Sequence, residues 1–92
     1  MHSDSKTTTL TASGEVFSGP SRIVGVYYVA SAAAGSIVLK DGGASGTTIA
    51  DIATPGGASN CTYIDLSNAP LRCTTSTYAT ISNVTSCMVV YN

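Results

Sequence analysis

Short apolar segments, each followed by turn-forming residues, recur along the whole chain. Residues 61–66 alternate in polarity, as expected of a half-buried strand, whereas residues 23–29 are apolar on both faces. Turn signals rich in glycine, proline, serine and aspartate return roughly every 8–12 residues. Val, Ile, Thr and Tyr, which favour pleated surfaces, are frequent in the segments between them. The pattern predicts an all-β fold, a small antiparallel β-sandwich or barrel of seven to eight short strands.

The length of the chain, 92 residues, corresponds to one domain. We expect residues 1–12 to form an extended N-terminal arm or a first strand, and residues 13–92 to form a single β domain. The first connections are short enough for an antiparallel meander, and the longer gap at residues 68–76 predicts a crossover between sheets. The polar first six residues and the lack of a long apolar run predict no signal peptide and no membrane span, and hence synthesis in a cytoplasm.

Two segments are candidates for contacts between protein chains. A strand that is apolar on both faces, such as residues 23–29, is either central in a sandwich or packed against a neighbouring subunit. The Thr-rich arm offers main-chain groups that can add a strand to the open sheet edge of a neighbour. The candidate interface residues are Thr7, Thr8, Thr9, Leu10, Val24, Val26 and Tyr28.

Composition and charge narrow the classes of function. Charged residues make up 10% of the chain, against about 25% in ordinary domains, and the net charge is −1. This balance excludes nucleic-acid binding by charge neutralisation, which requires a basic face, and it excludes a polybasic membrane anchor. The 43% of apolar residues argues against a disordered linker. Thirteen serines and thirteen threonines supply the hydroxyl groups of the polar surface.

The side chains that usually carry catalysis are few and scattered. His2 is the only histidine and lies in a terminal segment, where a catalytic base is not held rigidly. Asp41 precedes Gly42 and is explained by turn formation, whereas Asp51 and Asp65 mark solvent-facing positions of alternating strands. The sequence therefore predicts no enzyme, no catalytic residue, no cofactor and no metal site.

The three cysteines lie twelve and fourteen residues apart, without a C-x-x-C motif or a nearby histidine, which makes a zinc site improbable. Cys61 and Cys87 occupy strand positions where a small apolar side chain fills a core, and a disulfide among Cys61, Cys73 and Cys87 stays open at this point. The five tyrosines either stack on sugars or fill the edge of the core and contacts between subunits.

Several strand and turn segments of the chain are similar to those of a known class of protein. They are GVYYV at residues 25–29, GSIVLKD at Gly35–Asp41, SGTTI at residues 45–49, Thr54-Pro55, YATI at residues 78–81 and VVYN at residues 89–92. Over roughly residues 22–92 the chain resembles small β-domain virion structural proteins of tailed bacteriophages, in particular those of cyanobacterial and other aquatic phages. It departs from them in its cysteines, and in Lys40, where an aromatic residue often precedes the aspartate.

The resemblance implies a non-enzymatic part of the virion, assembled in the cytoplasm of the bacterial host. The expected role is that of a capsid decoration (cement) protein that binds the outer surface of the head and stabilises it. The expected partners are the major capsid protein or another virion protein, together with further copies of the chain in a homo-oligomer, most simply a trimer. The alternative is a tail-fibre, tail-tip or carbohydrate-binding module that contacts host glycans through its tyrosines and through the loops at residues 42–46 and 54–60.

Overall fold

Nine β-strands make up the regular structure of the computed structural model, which describes residues 6–57, 60–66 and 68–92. The strands are β1 (Lys6–Leu10), β2 (Gly14–Phe17), β3 (Ser21–Ala30), β4 (Gly35–Asp41), β5 (Thr47–Thr54), β6 (Cys61–Asp65), β7 (Leu71–Cys73), β8 (Thr77–Ser82) and β9 (Val84–Tyr91). The described residues contain no helix, so the prediction of an all-β fold is confirmed.

The strands form two antiparallel sheets, which makes the molecule a sandwich and not a barrel. Sheet A has the order β1-β9-β3-β6, with β7 also paired to β3, and sheet B has the order β2-β8-β4-β5. The expected meander over the first strands is wrong, because β1 to β4 alternate between the two sheets. The expected crossover lies within residues 68–76, where the chain leaves β7 in sheet A and enters β8 in sheet B.

The pairing of the strands has a nested order. β4 pairs with β5, β3 with β6 and β7, β2 with β8, and β1 with β9. The chain therefore resembles a long hairpin that closes at the β4–β5 turn and is wrapped so that alternate pairs enter alternate sheets. Each sheet has four strand positions, and β6 and β7 share the fourth position of sheet A. Two sheets connected in this way form a jelly roll.

The structure has nine strands where seven to eight are predicted, and two of the nine share one position in sheet A. β6 pairs with the second half of β3 and β7 with its beginning, so the two are pieces of one interrupted strand. Pro70 directly precedes β7 and lacks the N–H that a continuous ladder requires.

The core lies between the sheets and is made mainly of small and β-branched side chains. Its fully buried members from sheet A include Ile23, Val26 and Val89, and those from sheet B include Ile37 and Leu39. The β3–β9 ladder contains an irregularity between Ile23 and Gly25, which lets both Ile23 and Val26 point inward although they are three residues apart. The rings of Phe17 and Tyr91 close one end of the core, with their centroids 5.3 Å apart.

Candidate interaction surface

The face of sheet A that points away from the core consists of side chains aligned in rows across the strands. One row joins Thr9, Met88, Tyr27 and Tyr63, and the rows on either side of it are set by the same strand registers. We call this surface the A face. Its members are Thr7, Thr9, Gly25, Tyr27, Val29, Cys61, Tyr63, Asp65, Ser86, Met88 and Val90.

The centre of the A face is apolar. Tyr27 and Val29 on β3 lie beside Met88 and Val90 on β9, and all four side chains are partly exposed in the isolated chain. An antiparallel sheet with one face in water normally carries polar residues there. An apolar patch on the outer face of a small domain is a candidate site of contact with another molecule.

The corresponding face of sheet B is polar. Val38 lies in a row between Asp51 and Thr80, and Lys40 lies between Thr48 and Tyr78. We call this surface the B face. The two outer faces of one small sandwich therefore differ, and the apolar character of the A face is not a general property of the chain.

Tyr63 is the large apolar side chain that protrudes from the A face. It lies in the edge strand β6 and is 50% exposed. Its ring covers Gly25, because a Cβ atom at that position would overlap the phenol. Beside it, a hydrogen bond with Cys61 raises the pKa of Tyr27. The A face thus ends in two neighbouring phenol groups and a thiol at the β6 edge.

The predicted interface residues of the arm are divided between two faces. Residues 6–10 form the first strand and pair with β9 of the same chain, while residues 1–5 lie outside the described residues. Thr7 and Thr9 are exposed on the A face. Thr8 and Leu10 point toward the sandwich, where the Thr8 hydroxyl donates to the Val16 carbonyl at 3.0 Å.

The predicted interface residues of β3 are also divided. Val24 is partly exposed at the irregularity in the ladder, whereas Val26 and Tyr28 are 0% and 4% exposed and belong to the core. Their side chains are not on the surface of the chain. The outward-facing residues of this strand are instead Tyr27 and Val29, which the sequence pattern does not single out, because both faces of the segment are apolar.

Met88 and Val90 are further surface residues that the sequence analysis does not identify. A signal for them exists: residues 87–91 form an unbroken apolar run, as residues 26–30 do on the neighbouring strand. Two adjacent central strands that are apolar on both faces leave the outer face of their sheet apolar.

Asp41 has a larger role than the predicted turn formation. Its carboxylate accepts hydrogen bonds from the backbone N–H groups of Thr74, Thr75 and Ser76, at 3.0, 2.9 and 3.3 Å, and from the Thr74 hydroxyl at 3.0 Å. These bonds, led by those of the Thr74 and Thr75 amides, lower the pKa of Asp41 to about 2. The carboxylate therefore holds the β7–β8 crossover against the end of β4 in sheet B.

The cysteines are all free thiols in the structure. Cys87 is buried as predicted, and burial raises its pKa to about 11. The prediction that Cys61 fills the core is wrong, because β6 is an edge strand and places this side chain on the exposed A face. Cys73 is buried, and burial also raises its pKa.

An open cleft of about 270 Å³ lies at one end of sheet A. It is lined by Pro20, Ser21, Arg22, Arg72, Cys73 and Asn92. Arg22 and Arg72 are direct partners across the β3–β7 ladder, and the backbone of Arg22 exchanges two hydrogen bonds with Asn92 on its other side. Both arginines are exposed residues and lie beyond the Gly25 row of the A face.

The described residues contain no group of three or more His, Cys, Asp or Glu side chains placed to hold a metal ion. His2 lies outside the described residues. Asp51 and Asp65 are both exposed, at the positions that the alternation of their strands predicts. No helix in the described part of the chain is long and apolar enough to cross a membrane.

Comparisons of the chain with protein-family models, curated proteins and solved structures find no match.

Proposed function

We propose that the chain is a non-enzymatic structural protein of a tailed-phage virion, a capsid decoration protein that binds the outer surface of the head and stabilises it. The observation that carries this proposal is the apolar A face of a sandwich whose other outer face is polar. The strand and turn segments at residues 22–92 that resemble phage virion proteins supply the class of partner.

The dimensions of the molecule suit docking through a broad face. The chain measures 36 × 31 × 19 Å, and the short dimension corresponds to the stacking direction of two sheets about 10 Å apart. The two longer dimensions of the molecule leave room for the roughly 800 Å² that each partner contributes to a standard stable interface. Few charges have to be desolvated when such a face is covered, since only 10% of the chain is charged.

A head-binding experiment tests the proposal directly. Fluorescently labelled protein is mixed with expanded, undecorated heads of tailed phages, beginning with cyanophages, and bound protein is separated by sedimentation. We expect saturable binding with a stoichiometry that follows the symmetry of the head, and a higher melting temperature of the decorated shell. Binding to host cells or their polysaccharides, without binding to heads, would contradict the decoration role.

A second candidate function is glycan binding by a tail-fibre or other carbohydrate-binding module. The observation that favours it is Tyr63, half exposed beside Tyr27 on the A face, since exposed aromatic rings offer a surface on which sugars stack. A glycan array with the Tyr63→Ala variant distinguishes this function. Binding that is lost in Tyr63→Ala and kept in Tyr78→Ala, a change on the B face, would favour the glycan module over the decoration protein.

A further inference from the structure

Two of the four cationic side chains of the protein stand directly opposite each other. Arg22 on β3 and Arg72 on β7 are partners in the antiparallel ladder, and they are the only arginines in the chain. Like charges at directly opposed positions of a sheet destabilise it. In a chain with so few charges, this placement costs folding stability that a single neutral side chain would avoid.

The described residues place no hydrogen-bonding or ion-pair partner against this pair of charges. Within the part of the chain that the structure describes, neither guanidinium takes part in a hydrogen bond or an ion pair. Both line the cleft of about 270 Å³, beside Ser21, Cys73 and Asn92. The two arginine side chains therefore flank one open volume with no hydrogen-bond or ion-pair partner among the described residues.

We infer that the Arg22–Arg72 pair is an oxyanion site that receives a carboxylate of the protein partner. Paired guanidinium groups bind a carboxylate through parallel N–H···O bonds, and the bound negative charge removes the repulsion between them. The site lies at the end of the A face, so the complementary partner surface is apolar with an acidic side chain at one end. A protein carboxylate fits this position better than a nucleic acid, because the net charge of the chain is −1 and the rest of the A face is uncharged except for Asp65.

The inference rests on the proposed function only for the identity of the partner, and its first test needs no partner. The side-chain Nε–Hε resonances of two arginines are simple to assign in a ¹⁵N spectrum. The probes are a capped Glu-Glu peptide, a capped Gln-Gln peptide as its neutral control, and inorganic phosphate. We expect the Glu-Glu peptide to shift both arginine resonances, and the Gln-Gln peptide to leave them in place.

The variants Arg22→Gln and Arg72→Gln are expected to weaken binding of the Glu-Glu peptide by about tenfold, the typical effect of removing a charge-assisted hydrogen-bond partner. Each variant is also expected to unfold at the same or a higher denaturant concentration than the wild type, because the repulsion is gone. Unchanged peptide affinity in both variants would overturn the site. Phosphate binding much tighter than carboxylate binding would overturn the assignment to a protein carboxylate.

A second experiment separates this inference from the proposed function. The double variant Arg22→Gln/Arg72→Gln is compared with Lys6→Gln/Lys40→Gln, which changes the net charge equally at other positions. Head binding that falls about tenfold in the arginine variant alone supports the site. Equal head binding by wild type and arginine variant overturns the site but not the decoration role. If the wild type binds no heads while the Glu-Glu peptide moves both arginines, the decoration role fails and the oxyanion site stands.

Discussion

At the scale of single residues, a few polar groups hold the connections between the sheets. Asp41 is the main example, since four donors from residues 74–76 converge on its two carboxylate oxygens. Buried hydroxyls also act across the sandwich, as in the 2.7 Å hydrogen bond between Ser21 and Thr77. In this chain of few charges, hydrogen bonds between residues distant in sequence therefore link the two sheets.

The depressed pKa of Asp41 makes stability depend on acid pH. Because the folded state favours the carboxylate, its contribution is complete above the ordinary pKa of 3.8 and is lost as the pH falls toward about 2. We expect Asp41→Asn to be less stable than the wild type at neutral pH, and the difference to shrink between about pH 4 and pH 2. Urea denaturation across this range measures it.

The control for this prediction is Asp51→Asn, which neutralises an exposed carboxylate on the B face. This variant is expected to show nearly the same dependence of the free energy of unfolding on pH as the wild type. A stability difference between the wild type and Asp41→Asn that stayed constant from pH 7 to pH 2 would contradict the lowered pKa of Asp41.

The thiols are expected to differ in reactivity according to their burial. Cys61 is exposed, whereas Cys73 and Cys87 are 0% exposed and have raised pKa values, so the thiolate is scarce at both. Under native conditions, a thiol reagent such as dithionitrobenzoate is expected to label one cysteine rapidly, and three after denaturation. The Cys61→Ser variant should lose the rapid phase, and a rapid phase that persists in it would contradict this burial pattern.

At the scale of elements, the alternation along a strand decides which substitutions affect stability. In β4, Ile37 and Leu39 are fully buried between the sheets, whereas Val38 points to the B face. Ile37→Ala is expected to lower the free energy of unfolding by about 2–5 kcal/mol, because it leaves a cavity in the core. The neighbouring Val38→Ala is expected to cost less than about 1 kcal/mol.

Chemical denaturation of the two β4 variants checks this prediction. The comparison is valid when the free energy of unfolding depends on denaturant concentration with the same slope in both variants. Similar losses in both variants would mean that the two sides of β4 are equally buried in solution. That result would indicate that another molecule buries the B face in solution. It would contradict the assignment of the B face as the solvent-exposed outer surface and the A face as the docking surface.

At the scale of the whole molecule, the two outer faces are expected to behave differently in assembly. A charge in the middle row of the A face, Met88→Glu, is expected to lower head binding about tenfold or more, because a buried unpaired carboxylate opposes docking. The matched change Val38→Glu on the B face is expected to leave binding intact. Equal effects of the two changes on binding, with unchanged melting temperatures, would exclude the A face as the docking surface.

The native mass of the protein tests the proposed homo-oligomer. Light scattering on a sizing column is expected to give a closed oligomer, most simply a trimer, with the same mass in the presence and absence of reductant. A mass that falls on reduction would mean that an exposed thiol, Cys61, links the chains. A monomer at all concentrations would contradict the homo-oligomer and leave decoration by single chains.

The sequence by itself determined the all-β fold and its build from short strands separated by turns, because these properties depend on local alternation and turn residues. Strand β3 shows where local information ends. Residues 23–29 are apolar on both sides, so their pattern does not distinguish Val26 in the core from Tyr27 on the surface.

Only the tertiary structure decided the order of the strands, the two unlike outer faces and the meeting of distant groups. Asp41 and Thr74 lie 33 positions apart, and Arg22 and Arg72 are brought together by a ladder between β3 and β7. The reason is physical: which strand lies beside which depends on how the whole apolar surface is buried between two sheets. No short segment of the chain contains that information.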